Sequence, residues 1–395
     1  MLKSRLCIAF FAFAVGCAPA QKPLTDYVNP MLGTATLWDS VDLGFKPTKR
    51  TWGAEVFPGS SLPNAMVQVS PVTKFHSGAG YQYEDSVIYG FTHTNKGHWN
   101  LCHIPLLPVT GTPTPGDYCS PFSHERESAA PGYYQVFLDR YGVDAQLSST
   151  LRCAFHKYTY PAGAAASLLA DLQRSNEHVR AWDIRKEGDN VFAGWQQTGE
   201  KMYFYAVANR PVTGIEPVVE GDREVRIVRF GEGDGALELR IGFSFVSEKN
   251  ARENLEAEML GKSFAEVRSE ATATWNDLLG RIRVEGGTER EKGLFYSSLY
   301  RSFLWPALRS DVNGEFTDVD GKVINPGFRY YTGPSYWDDY RNKLILLGML
   351  APDVAADVIS SDTDKGEKRG GFMPTFFHGD HASAFVAGTY LRGNR

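Results

Sequence analysis

The sequence predicts an antiparallel β-sandwich followed by an all-α segment, and two observations carry that expectation. From about residue 22 to 247 the chain runs in short alternating stretches such as "AMVQVSP", "YYQVFLDRY", "KMYFYAVAN" and "EVRIVRF", broken by Gly, Pro and Asn. Many short strands joined by turn signals read as a sandwich. Near residue 248 the period changes: "SEKNARENLEAEMLGKSFAEVRSEATATWNDLLGRI" is rich in Ala, Glu, Leu and Arg, with apolar residues at three- and four-residue steps. That is the spacing of helices.

At 395 residues the chain exceeds what one core usually supports, so two domains are expected. Residues 1–20 read as a signal peptide: Lys3 and Arg5, an apolar stretch from Leu6 to Val15, then small residues. Cleavage is readable after Ala20, at "APA", or before Cys17, at "AVGC", which would leave a lipid anchor on Cys17. No other stretch is long and apolar enough to span a membrane. The sandwich is assigned to residues 21–247 and a helical linker, broken at Gly261, to 248–281. Residues 282–395 hold four helical segments, at roughly 288–304, 335–350, 352–361 and 380–391, punctuated by Pro306, Pro334, Pro352 and Pro374.

A formal net charge of −5 and the lack of a long basic run argue against a nucleic-acid partner. Outside the export segment three cysteines remain, Cys102, Cys119 and Cys153, so at most one disulfide can form among them. Cys102 with Cys119, flanking a Pro/Gly-rich loop, is the expected pair, the alternative being isolated buried thiols. No CxxC or HExxH spacing suggests zinc.

Three constellations carry candidate chemistry. In "SYWDDYR", residues 335–341, Ser335 and Asp338 fit a capping box, and Asp338 and Asp339 complement the dipole of a first turn. The same stretch brings Trp337, Asp338 and Arg341 together, a flat aromatic, a carboxylate and a guanidinium that can grip a polyol. In "FMPTFFHGDHASAF", residues 372–385, Asp380 is placed as the cap of the next helix, with His378 and His381 beside it. The pair of His three apart is a weak metal signal. In "GFTHTNKGHWNLCHIP" the sandwich offers His93, His98, Trp99 and His103 on strand ends and loops, where sites tend to lie.

Six ordered blocks extend this reading: "DYVNPMLGT" (26–34), "FPGSSLPNAMVQVSP" (57–71), "GFTHT" (90–94), "FSHERESAAPGYYQVFLDRYG" (122–142), "EGGTEREKGLFYSSLYRSF" (285–303) and "YWDDYR" (336–341). Together they resemble the glycoside hydrolase family 92 α-mannosidases over essentially the whole mature chain. The resemblance implies a β-sandwich packed on an (α/α)6 barrel, of which residues 282–395 would be the first part. It implies calcium-dependent, exo-acting removal of terminal mannose with inversion from a mannose-containing glycan, with α-1,2 linkages on N-glycans or mannans the expected target. Trp337, Asp338 and Arg341 would line the mannose pocket, with Asp380 and His381 nearby. The sandwich loop carrying His93 and Trp99 would reach towards the same pocket. Where relatives follow this block with a Ser/Gly-rich stretch, this chain has "HTNKGHWN", so recognition beyond the terminal sugar is expected to differ.

The 114 residues from Ile282 onward suffice for about four helices, whereas twelve with short connections need on the order of 200. None of the family's general acid, general-base or calcium-ligating residues can be matched in this chain. Inverting hydrolysis needs two carboxyl groups roughly 6.5–9.5 Å apart. Asp338 and Asp380 have the right chemistry, and the resemblance assigns them to binding instead. The 395-residue chain is therefore expected to be inactive alone, with Leu344, Ile345, Leu347 and Phe385 exposed on unpaired helices. Rival readings are a non-catalytic sugar-binding surface lipoprotein and another (α/α)6 glycosidase or phosphorylase.

Overall fold

The computed structural model describes residues 22–37, 44–46, 54–96, 99–233, 235–373 and 379–393. Residues 1–20, the expected signal peptide with Cys7 and Cys17, and the side chains of His98 and His378 lie outside the described residues. Among the described residues no helix is long and apolar enough to cross a membrane.

Two antiparallel sheets share one core. The first has seven strands, in spatial order Ser60–Ser61, Gln68–Val72, Gly90–Thr92, Leu106–Val109, Ser167–Ala170, Arg223–Phe230 and Val212–Glu220. The second has eight, in order Ala181–Lys186, Val191–Gln197, Lys201–Ala208, Leu237–Ser244, Cys153–Thr159, Val143–Ser149, Tyr133–Leu138 and Glu127–Ala130. Period-2 alternation sets the inner face: in Lys201–Ala208 the residues Met202, Phe204, Ala206 and Ala208 are buried and their neighbours half-buried. Phe91, Leu169 and Val228 of the first sheet meet Tyr134, Leu147, Phe204 and Ile241 of the second in one cluster. Each such side chain contributes about 2 kcal/mol of burial.

The strand Cys153–Thr159 breaks the alternation, with its first four residues all buried. The reason is a second apolar layer. Helix α1 (Glu248–Glu258) and helix α2 (Phe264–Leu279) cover the outer face of the eight-stranded sheet, and Leu255, Met259, Phe264 and Val267 pack on Cys153, Phe155 and Tyr133. A Cβ on Gly242 would stand 2.1 Å from the Ala251 carbonyl oxygen, so only glycine lets α1 lie this close. The chain breaks between the two helices at Gly261, at φ +89°, as its sequence predicts. Residues 248–281 thus form a layer on the sandwich. Trp275, buried on α2, donates its Nε1–H to the Ser61 carbonyl at 2.7 Å and packs 4.4 Å from the Tyr300 ring.

Five further helices follow among the described residues: α3 (Glu289–Ser302), α4 (Tyr336–Asp339), α5 (Lys343–Leu350), α6 (Pro352–Lys368) and α7 (His381–Leu391). The single helix expected over 335–350 is two. Asn342, at φ −134° and ψ −89°, turns its side-chain Nδ2 to the Asp338 carbonyl at 3.1 Å, the acceptor a continuing helix would give its backbone N–H. The helix expected to end at 361 runs to Lys368, because its last turns bury a polar pair, Asp362 and Lys365, which hydrophobic periodicity does not register. The expected apolar exposure is also corrected: Leu344, Leu347 and Phe385 are buried and Ile345 half-buried, since α5 packs on α3, α6 and α7. The expected Cys102–Cys119 disulfide is absent. All three described cysteines are free thiols, and Cys102 is buried in a separate small cluster with Val72 and Phe75.

The helical segment is tied to the sandwich by a buried carboxylate, Asp311, and a half-buried one, Glu258. Asp311 accepts from Ser244 Oγ (2.6 Å), Asn250 Nδ2 (2.9 Å) and Asn254 Nδ2 (2.7 Å), while Asn254 Oδ1 accepts from the Val312 N–H at 2.9 Å. Burial raises the Asp311 pKa, against the opposing effect of these donors. Glu258 accepts from Thr150 Oγ1 (2.6 Å), the Arg152 N–H (2.9 Å) and Arg152 Nη1 (2.6 Å), and Arg152 Nε donates to the Ser310 carbonyl at 2.8 Å. Asp311→Ala takes an acceptor from three groups: the Ser244 hydroxyl keeps none, while Asn250 Nδ2 retains Glu315 and Asn254 Nδ2 retains the Phe243 carbonyl. We expect a loss of about 3 kcal/mol in denaturant unfolding, only part of it recovered in Asp311→Asn, and an unchanged midpoint would refute this role.

Inside the sandwich His93 and His156 are fully buried and meet Nε2 to Nε2 at 3.0 Å, with His156 Nδ1 at 2.6 Å from Tyr158 OH. Burial pushes His93 down to about 3 and His156 well below its ordinary value. The unfolded chain, whose histidines titrate near ~6.5, therefore binds more protons in acid. Stability is fully present above that pH and is lost as pH falls towards the folded values. The melting temperature should hold between pH 7 and 8 and fall below pH 6.5, with a shallower fall in His156→Gln.

Candidate functional site

Helix α4 is a single turn, and its start is not the capping box that spacing predicts. Ser335 makes no side-chain bond to the backbone. Its Oγ donates instead to Asp338 Oδ2 at 2.7 Å. What holds the turn is a buried support beneath it. Tyr336 donates its hydroxyl to Asp362 Oδ2, and Lys365 Nζ reaches Asp362 Oδ1 and the Tyr331 carbonyl, both at 2.9 Å. Burial raises the Tyr336 pKa, with the Asp362 charge adding to it. Burial lowers Lys365, with Asp362 opposing.

With Tyr336 fixed below, the next residues face outward. Trp337 is 46% exposed, and its ring lies 5.6 Å from that of His381 at 61°. Tyr340 stacks on His381, at 4.3 Å and 10°, and the Arg341 guanidinium lies 5.2 Å from the Tyr340 ring. Asp380 caps α7, accepting from the Ser383 N–H at 3.2 Å and from Ser383 Oγ at 2.5 Å. These two bonds hold its carboxyl below the usual range. The structure thus brings the two predicted helix starts together, with Trp337, Tyr340 and Arg341 from one and Asp380 and His381 from the other, and Asp338 exposed at the rim.

Two expectations for the sandwich are altered. His93 does not line a surface: it is fully buried, paired to His156 and packed 4.6 Å from the Phe243 ring. It follows the fully buried strand Gly90–Thr92, and its ring packs against His156 as that of Phe91 does. His103 is likewise buried, between Thr94 Oγ1 (2.8 Å) and Glu177 Oε2 (2.9 Å). Trp99 is 40% exposed on the small hairpin Asn95–Lys96 and Trp99–Asn100, which Asn100 anchors through its carbonyl, an acceptor for Asn176 Nδ2 at 2.6 Å.

Sequence reasoning missed Tyr340, although it lies in the quoted stretch, and missed Asp362 and Lys365, whose three-residue spacing on a helix was the available signal. Among the described residues no group of three or more His, Cys, Asp or Glu converges to hold a metal ion. Asp338 and Asp380 are each engaged by a serine of their own segment. This donor set does not fit a calcium cage of six to eight oxygens.

Comparison with known proteins agrees with this layout. The model of the glycosyl hydrolase family 92 N-terminal domain matches residues 27–253, and that of the glycosyl hydrolase family 92 catalytic domain matches residues 250–395. The chain belongs to glycosyl hydrolase family 92. A family GH92 alpha-mannosidase from Bacteroides thetaiotaomicron superposes with a TM-score of 0.85 at 25% identity, over 95% of this chain and 55% of that one. The family glycosyl hydrolase ccman5 does so with a TM-score of 0.79 at 26% identity, over 94% and 54%. An "uncharacterized secreted glycosidase" of Arthroderma benhamiae is 24% identical over 344 residues, 73% of this chain and 42% of its own length. The chain thus spans about half the length of the relatives it matches.

Asp362→Ala strands a buried ammonium, and we expect it to cost about 3–5 kcal/mol. The double variant Asp362→Ala with Lys365→Met should be more stable than the single one. If it is not, the Lys365 charge is not what the carboxylate supports.

Proposed function

We propose that this chain provides one wall of the sugar pocket in an exported enzyme that removes terminal α-linked mannose by inversion, with α-1,2 linkages as the target. The observation that carries the proposal is the meeting of Trp337, Tyr340 and Arg341 with Asp380 and His381 at two adjoining helix starts. An exposed indole offers a stacking face for a pyranose, and a guanidinium and carboxylates carried on the same two helix starts offer donors and acceptors for hydroxyls. Family membership supports the same reading, as does the Bacteroides α-mannosidase that has been solved in complex with mannoimidazole.

In this proposal the wall binds and orients. Trp337 sets the plane of the sugar ring, Arg341 and Asp338 fix its hydroxyls, and Tyr340 holds His381 in place. Asp380 is a poor proton donor, since both its oxygens face Ser383 and its pKa is lowered. An inverting general acid needs a raised pKa and its partner base needs room for a water. We infer that these groups, the closure of an (α/α)6 barrel and the oxygen ligands of calcium come from outside the described residues. Export through residues 1–20, with Cys17 as the lipid-bearing residue, completes the proposal. A Cys17→Ala variant that still incorporates labelled palmitate would remove that last part.

The 395-residue chain should release no mannose from α-1,2-mannobiose above a buffer blank, and EDTA should leave its melting temperature unchanged. In the protein at the length of its relatives, Trp337→Ala and Arg341→Ala should each lower kcat/KM at least tenfold, roughly 1.4 kcal/mol of transition-state stabilisation. Wild-type values in both variants would discard this wall as the pocket.

A further inference from the structure

At the open side of the sandwich the outermost strands of the two sheets, Ala181–Lys186 and Val212–Glu220, come together. Beside them lies a cleft of about 520 Å³ formed by sandwich residues alone, among them Gln173, Arg180, Trp182, Asp222 and Arg223. We propose that this cleft is a second saccharide-binding site, taking a neutral pyranose unit of a glycan. It shares no residue with the pocket at Trp337 and does not depend on the mannosidase reading.

The volume falls in the roughly 300–1,000 Å³ range of small-molecule sites. Trp182 is half-buried, and the Arg226 guanidinium lies 5.3 Å from its ring. Arg226 is itself held by Glu224 at 2.7 Å, so the indole is a fixed surface. Around it stand groups with unused hydrogen-bonding capacity. Arg180 and Asp222 are both exposed, and neither side chain has an ion pair or hydrogen bond among the described residues. Gln173 spends its Oε1 on the Glu224 N–H at 2.7 Å, which leaves its amide donors. Arg223 is pinned by Asp171 at 2.5 Å and by the Pro115 carbonyl at 3.0 Å, so its position is set before a ligand arrives.

Charge decides the class of ligand. Arg223 is neutralised by its buried partner Asp171, and the remaining charges of the lining, Arg180 and Asp222, are of opposite sign, so little net charge is left to hold a bare anion. It does present donors and an acceptor at the edge of an aromatic surface, which suits vicinal hydroxyls on an apolar ring face. Directional hydrogen bonds around a pre-set aromatic need little reorganisation on binding.

The test is calorimetry and ligand-observed NMR on the 395-residue chain, with mannotriose, cellotriose and chitotriose as neutral probes and inorganic phosphate as the anionic one. We expect at least one trisaccharide to bind, at least tenfold more weakly in Trp182→Ala and in the double variant Arg180→Ala with Asp222→Ala, and unchanged in Trp337→Ala. The double variant alters exposed side chains only, so it remains informative if Trp182→Ala fails to fold. Binding of none of the three, binding lost in Trp337→Ala and retained in the double variant, or phosphate bound more tightly than any trisaccharide would each overturn the site. Loss in Trp337→Ala alone would do so while leaving the mannose pocket intact.

Discussion

Much of this molecule hangs on a buried carboxylate, Asp311. It lies on the loop after α3, yet every donor that satisfies it comes from the sandwich or from α1: Ser244 at the end of a central strand, and Asn250 and Asn254 on the first helix. A charge removed from water is tolerable only when fully paired. The register of that loop against the sandwich is therefore specified sharply, because sliding by one residue would strip the carboxylate of its three donors and leave the Ser244 hydroxyl without its acceptor. Arg152 and Glu258 repeat the device one turn further along α1. From these fixed points the chain proceeds through Tyr330 and Tyr331 to the turn that carries Trp337.

The same logic operates on a smaller scale under the candidate site. A single helical turn cannot hold itself, and α4 lacks a side-chain cap. Its position comes from Tyr336, which points into the protein and ends on Asp362, whose other oxygen is taken by Lys365. Trp337 can remain exposed and still be well placed because its neighbour in sequence is immobilised. Exposure of a large aromatic has a cost that a folded protein recovers only if something covers the ring in use.

How far the sequence foretold this follows from which forces leave a pattern. Alternation over Lys201–Ala208 and the period change at Ser247 were legible, because apolar burial repeats with the geometry of the element. The Asn342 break was not legible, since one side chain replaces one backbone bond there without altering periodicity. Nor was the inward turn of His93: three histidines in eleven residues resemble a site, and only pairing with His156, sixty-three residues away, shows that His93 fills a core. Of the residues that meet at the two adjoining helix starts, Trp337, Arg341, Asp380 and His381 were legible as polar and aromatic groups at those starts, while Asp362 and Lys365 escaped because their meaning lies in what they touch.

The close seat of α1 on Gly242 bears on how such a protein can be inherited in pieces. The sandwich and the helices differ in period at residue 248, which invites a module boundary there. A chain divided at that point would lay bare the outer face of its larger sheet, Tyr133, Cys153 and Phe155 included, and would also lose the cap that Ser247 provides for α1. The sandwich is therefore inherited together with α1 and α2, and with the segment through Asp311, whose carboxylate Ser244, Asn250 and Asn254 require and whose Tyr300 closes the seam at Trp275.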